Sequence, residues 1–411
     1  MPDVMTCLAC GTPLTWSFVD LGTSPLSNAF LGPERLAGPE LHHPLNTFVC
    51  TSCLLVQLPR HERRESIFEE HYAYFSSYSD SWLQHAKAYA EAMTTRLGLT
   101  KASRVVEVAS NDGYLLRWFQ DMGIPVLGIE PTANTAEAAV ALGIPTQVSF
   151  FGEALAKQLV AEGTQADLTA ANNVLAHVPD IHDFVEGFRI LLKPRGTSTF
   201  EFPHLLQLIQ HTQFDTIYHE HFSYLSLRVV EQVFGQHGLV VHDVEELGTH
   251  GGSLRVFASH EEAAFPVSER VPALRAKETA AGLDRLSGYE GFAAKVQRVR
   301  DDLLSFLLQA KRDGKSVVGY GAPAKGNTLL NYCGVKRDLL HYTVDRSPHK
   351  QGQFLPGVRI PIFGPEKIAE TKPDFVLILP WNLKEEIMEQ MAHIRGWGGK
   401  FVVPIPRLEI L

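Results

Sequence analysis

Nothing in this 411-residue chain stays apolar long enough to span a bilayer. It has no block of lysine and arginine, and its formal net charge is −9, which argues against a nucleic-acid surface. The opening run Met1-Pro2-Asp3-Val4-Met5-Thr6-Cys7 lacks the basic-then-apolar pattern of a secretory leader. Repeats at solenoid spacing and low-complexity tracts are missing. So is the G-x-G-x-x-G turn, which disfavours a nicotinamide site. These absences leave a cytoplasmic enzyme as the expectation, with neither membrane nor nucleic acid as partner. Hydrophobic residues make up 45 % and charged residues 20 %, an ordinary globular balance. The length exceeds what one core usually holds, so two or three domains are expected.

Cysteine is scarce too, and its placement is informative. Four of the five cysteines fall in the first 53 residues, as Cys7-Leu8-Ala9-Cys10 and Cys50-Thr51-Ser52-Cys53. Two C-x-x-C knuckles can present four thiolates to one zinc ion, and a closed thiolate shell leaves no position for substrate. Two disulfides, or merely buried thiols, are the competing readings; the lack of an oxidising context favours structural zinc. Cys333 stands alone and reads as an inert thiol.

From Arg104 onward strand and helix alternate. Val105–Ala109, Val126–Glu130 and Asp167–Asn172 read as strands, with helices over Tyr114–Met122, Ala133–Leu142, Gly152–Glu162 and Asp183–Leu192. Lys193–Gly196 reads as a turn before a strand at Thr197–Phe202, and Thr249–Ala258 as a turn feeding a closing strand. A long amphipathic helix is expected from Leu283 to Arg312, followed by strands near Val317, Thr343 and Phe375. The rhythm implies a mostly parallel, doubly wound α/β sheet and a second α/β unit behind it.

Three segments carry chemistry. Glu107-Val-Ala109-Ser-Asn111-Asp-Gly113-Tyr114 closes the first strand, where doubly wound folds bind ligands, and Glu130 ends the second strand, where an acid commonly meets ribose hydroxyls. The plain alternative is a generic strand-to-turn junction. Tyr320-Gly-Ala-Pro-Ala-Lys325-Gly-Asn327 follows a later strand; Lys325 suits a phosphate, and Asn327 can cap the next helix. A purely structural turn competes with it. Tyr218-His219-Glu220-His221-Phe-Ser-Tyr224 is dense in titratable groups, and on a helix Tyr218, His221 and Tyr224 share a face. General acid–base work, a second metal at His219 and His221, or a structural role all remain open there. Asn172 and His177 sit together just after a strand, again at the ligand edge.

In their order and spacing these motifs resemble the S-adenosylmethionine-dependent C-methyltransferases of nucleotide-linked 4-keto deoxysugars. The likeness runs from Cys7 to about Pro380 and adds His250-Gly-Gly-Ser-Leu-Arg255 to the set. It implies a Rossmann-like methyltransferase domain (71–282) between an N-terminal zinc-binding module (1–70) and a C-terminal Rossmann-like α/β domain (283–411). It implies a donor site at Glu107, Ala109, Asn111, Gly113, Tyr114, Glu130 and Asn172. The family's catalytic run matches Tyr218, His219, Glu220 and His221, with His221 as general base; Tyr72 and His177 match further active-site positions. Tyr78, Lys325 and Asn327 are assigned to the nucleotide sugar. The resemblance favours a monomer with structural Zn2+, acting on C3 through an enolate in deoxysugar and antibiotic biosynthesis. Methylation at oxygen or nitrogen, a nicotinamide-dependent sugar oxidoreductase, and a zinc-organised binding protein are the readings it competes with.

Overall fold

The computed structural model describes residues 5–60 and 75–411, so Tyr72 lies outside the described residues. Three sheets organise them. The middle sheet has seven strands in the order Leu239–Leu247, Ser253–His260, Leu192–Pro203, Ala166–Asn172, Val105–Val108, Val126–Glu130 and Thr146–Val148. Its first strand, Val105–Val108, is buried along its whole length because parallel neighbours and helices cover both faces. Chain order reverses beside that strand. The carboxyl ends of Val105–Val108 and Ala166–Asn172 therefore open the crevice where such sheets take ligands. Only Ser253–His260 runs antiparallel to its two neighbours.

The C-terminal sheet repeats the scheme with six strands: Ile362–Phe363, Thr343–Val344, Val317–Tyr320, Phe375–Ile378, Lys400–Val403 and Glu409–Ile410. Its reversal lies between Val317–Tyr320 and Phe375–Ile378. Those two strands run out into the turns that begin at Gly321 and Leu379.

The N-terminal sheet pairs Trp16–Ser24, His43–Val49 and Val56–Gln57 antiparallel. Its fourth strand is Ser223–Tyr224, supplied from far along the chain, with Val56 opposite Tyr224 and Gln57 opposite Ser223. The helix expected across Tyr218–Tyr224 is therefore absent. Tyr218–Glu220 is a turn and the segment then extends, because pairing with the N-terminal sheet outweighs the local spacing. Of the three hydrophobic cores, two take in the N-terminal module. Phe18, Leu45 and Val56 pack with the C-terminal unit, where Phe18 stacks on Phe292 at 4.5 Å between ring centres. The knuckle residues Cys7, Cys50 and Leu55 pack with the middle sheet instead.

Two further expectations change. Lys193–Gly196 is a bulge inside one strand, since Ala166 pairs with Leu192 and Leu168 with Thr197. The long helix begins only at Phe292, because Gly291 takes φ +77° and a 3-10 turn, Leu286–Tyr289, precedes it. No described helix is long and apolar enough to cross a membrane.

Candidate active site and metal centre

The four knuckle cysteines place their sulfurs within 4.8 Å of one another. Cys7 and Cys53 are 3.5 Å apart, as are Cys10 and Cys50. Those gaps are far beyond a disulfide bond of about 2.05 Å. They approach the edge of about 3.8 Å that four sulfurs 2.3 Å from a tetrahedral zinc would have. Backbone amides of Ala9 and Ser52 donate to Cys7 and Cys50, and the Gln57 amide donates to Cys7 Sγ at 3.2 Å. The hydrogen bond from Cys53 is the largest influence on Cys7 and brings its thiol down to about 5 against the opposing effect of burial, with Gln57 and the Ala9 amide assisting. This donor set fits a closed structural zinc. No other cluster of metal ligands occurs among the described residues, and the His219–His221 alternative is excluded by geometry. His219 Nε2 donates to the Pro44 carbonyl of the N-terminal sheet, while His221 faces the interior cleft.

That cleft is a cavity of about 670 Å³ between the carboxyl edges of the middle and C-terminal sheets. On the middle-sheet side, Ala109, Asn111 and Gly113 take φ of +58°, +48° and +77° in quick succession. A Cβ on Gly113 would meet Ile144 Cδ1 at 2.3 Å, so glycine is required there for both shape and space. Glu130 accepts from the Asn111 amide and the Thr132 amide, each at 2.9 Å, and from the Thr132 hydroxyl. Burial raises its carboxyl and these hydrogen bonds counter the rise. Ala109, Asn111, Tyr114, Glu130 and Asn172 line the cavity. Glu107 lies one layer beneath; burial pushes its carboxyl well above the usual range.

One buried acceptor on this wall, Asn172 Oδ1, has no hydrogen-bond partner. Such a group is costly unless a ligand satisfies it. The ammonium and ribose hydroxyls of S-adenosylmethionine are donors of the kind that Asn172 Oδ1 lacks, so the residues present fit that group.

The other wall carries the titratable run. His221 Nδ1 is 2.7 Å from the Thr216 carbonyl, which can only accept, so Nδ1 holds the proton and the neutral ring keeps its lone pair on Nε2. Burial, then the neighbouring His177, holds His221 well below the usual imidazole range. His177 lies edge-on at 4.6 Å between ring centres and is itself lowered by burial to about 4. Tyr218 is 4.0 Å from His221 by the same measure, and Glu220 Oε1 accepts from Asn28 Nδ2 at 2.6 Å. Tyr218, Glu220, His221 and His177 all line the cavity, and Lys325 joins them from the C-terminal sheet.

Two residues assigned to the sugar stand elsewhere. Tyr78 is half exposed outside the cavity wall, with its hydroxyl 3.2 Å from His349 Nε2. Asn327 is not the helix cap. Pro323 occupies that position, while Asn327 is buried a turn inside and donates to the Ser27 carbonyl.

Sequence reasoning passed over His250 and Asn173 as site residues. Both line the cavity in the left-handed region, at φ +54°, and Asn173 Nδ2 donates to His250 Nε2 at 3.2 Å. Burial, then Lys325, lowers His250 to about 4. The signal was the strain itself: a histidine before two glycines and a doubled asparagine mark turns that ordinary loops avoid. Asn28 and Trp82, also on the wall, carry no comparable signal.

Family models match three successive stretches: a zinc binding domain over residues 7–68, a methyltransferase domain over 81–244, and a C-methyltransferase C-terminal domain over 248–406. The chain is 37 % identical over 405 residues to C-methyltransferase NovU of Streptomyces niveus, spanning 98 % of this chain and 96 % of that protein. Among solved structures it is similar to an S-adenosylmethionine-dependent methyltransferase of Clostridium acetobutylicum, with TM-score 0.35, 8 % identity, and coverage of 43 % and 92 % of the two chains. The CcbJ methyltransferase of Streptomyces caelestis gives TM-score 0.34, 13 % identity, and coverage of 43 % and 82 %. Both structural likenesses are weak.

Proposed function

The chain belongs to the S-adenosylmethionine-dependent C-methyltransferase family, and from that premise we propose that it methylates C3 of a (d)TDP-linked 4-keto-6-deoxy sugar. When bound, S-adenosylmethionine supplies an electrophilic methyl group. A carbon beside a ketone is not nucleophilic until it loses a proton, so the chain must supply a base and a means of holding the enolate.

His221 is the base in this reading, and the observation that carries the proposal is its fixed tautomer. The Thr216 carbonyl holds the Nδ1 proton and leaves the Nε2 lone pair to the cavity that the ring lines. Nε2 takes the C3 proton. Tyr218 donates to the enolate oxygen, and His177 packs edge-on against the base. Glu220, held by Asn28, orients the run, and Glu130 with Asn172 positions the donor. Two facing sheet edges bring the methyl group and C3 into line and exclude water.

The same reading makes the N-terminal module a wall of the substrate cleft and puts the enzyme in the cytoplasm, as a monomer, in deoxysugar and antibiotic biosynthesis. Incubation with the donor and a 4-keto-6-deoxy nucleotide sugar tests it. A product heavier by one methyl group, with the label on carbon by NMR, is expected; a label on oxygen or nitrogen overturns it.

A further inference from the structure

The cavity wall carries two cations among the described residues, Lys325 and Lys350, and their surroundings differ. Lys350 Nζ donates to the Ala322 carbonyl and lies 3.9 Å from Asp345, so its charge is already partly balanced. Lys325 Nζ donates at 2.9 Å to the neutral Asn382 side chain and rests 4.7 Å above the Trp381 ring. Trp381 in turn donates through Nε1 to the buried Asp215 carboxyl at 2.7 Å.

Asp215 and Thr216 are successive residues of one 3-10 turn, Phe214–Thr216. The turn therefore performs two tasks within one rigid unit. Its Thr216 carbonyl fixes the base, and its Asp215 carboxyl holds Trp381, on whose ring the lysine rests. The helix Ala324–Cys333 that carries Lys325 is tied to the same segment, where the Thr328 hydroxyl donates to the Ile217 carbonyl at 3.0 Å. Lys325 is near enough to both His221 and His250 to disfavour their protonation. Lys325 lines the same cavity as the base, on a helix tied to the segment that fixes it, which suits the reacting carbonyl better than a distant diphosphate.

We infer that Lys325 is a catalytic residue whose ammonium pairs with the C4 oxygen of the substrate as that oxygen becomes an enolate, with Asp215 and Trp381 as its positioning residues. The inference rests on the C3 reading above. In the step, the C3–H bond breaks and its proton goes to His221 Nε2. The C–H pair becomes the C3=C4 bond, and the carbonyl π pair moves to the oxygen, where Lys325 meets the new charge. That enolate carbon then attacks the methyl group, the C–S pair stays on sulfur, and the sulfonium leaves as a neutral thioether. A fixed cation in a water-poor site is worth most where charge develops, and losing one such group typically lowers a rate by about 10²–10³.

The test is deuterium uptake at C3 in D2O without donor, at saturating 4-keto-6-deoxy nucleotide sugar, for wild type, Lys325→Met and Lys325→Arg. Calorimetry supplies the dissociation constants of sugar nucleotide and S-adenosylmethionine. Lys325→Met is expected to slow saturated exchange by about 10²–10³ while substrate affinity changes less than about tenfold; Lys325→Arg is expected to recover part of the loss. Exchange at the wild-type rate with affinity weakened more than tenfold overturns the inference and makes Lys325 a phosphate ligand. Absent exchange in wild type removes the C3 reading and this inference with it. Should Lys325→Met lose donor binding, Lys325→Gln is measured against the same two outcomes.

Discussion

Replacing His221 by glutamine removes the proposed base while leaving a side chain that can occupy its space. The imidazole is buried at the cavity wall, with a hydrogen bond to Thr216 at 2.7 Å. Losing that bond costs about 1 kcal/mol of stability, too little to unfold a domain. Losing the base costs about 10²–10⁴ in rate, or about 2.7–5.5 kcal/mol in the barrier. The assay is steady-state methyl transfer over pH 5 to 9, beside calorimetric donor binding. His221 must be neutral to act, and burial followed by the neighbouring His177 holds its pKa below 6.5. Wild-type kcat/KM should therefore stay level as pH falls through 6.5 and decline only below it, where the lowered imidazole takes up its proton. The variant should bind donor normally and lose that acidic limb together with its turnover. A variant within about threefold of wild type, or one keeping the same limb, refutes the role.

Removing the Glu130 carboxylate by Glu130→Ala should weaken S-adenosylmethionine binding by about 10- to 100-fold, since it frees the Asn111 amide and takes away charge-assisted acceptors; unchanged affinity in calorimetry contradicts the donor-site reading. Elemental analysis should find one zinc per chain, and Cys50→Ser or strong chelation should abolish activity by loosening the N-terminal module, visible as new protease sensitivity; full activity without metal would exclude a scaffold role. Glu201 is wholly buried and accepts from His85, Arg255 and Thr249. Glu201→Ala leaves the buried Arg255 with only the partly exposed Glu245, 3.0 Å away, and should cost about 3–5 kcal/mol in urea unfolding, while a loss under 1 kcal/mol would mean that Glu245 alone balances the charge.

Local chemistry was legible in the sequence and distant pairing was not. Each knuckle is four residues long, so its spacing alone declares the metal site. Glu107 to Gly113 and Glu130 were readable because alternating strands and helices put them at a sheet's carboxyl edge. Tyr218–Tyr224 misled because its threefold spacing suits a helix, whereas its partners Val56 and Gln57 lie in another domain. Asn327 was misassigned for a related reason. Its buried bond to the Ser27 carbonyl depends on the N-terminal module resting against the C-terminal helix, and no local pattern encodes that contact. His250 and Asn173 announce themselves only through backbone strain, which residue types hint at but coordinates reveal.

The central claim is that this protein ionises a carbon–hydrogen bond before transferring a methyl group. Deuterium uptake from D2O into C3 of a 4-keto-6-deoxy nucleotide sugar, with wild-type enzyme and no donor, tests it most directly. The account predicts uptake of one deuterium at C3, abolished by His221→Gln. Efficient methyl transfer to the same sugar from an enzyme that never exchanges this hydrogen would contradict it.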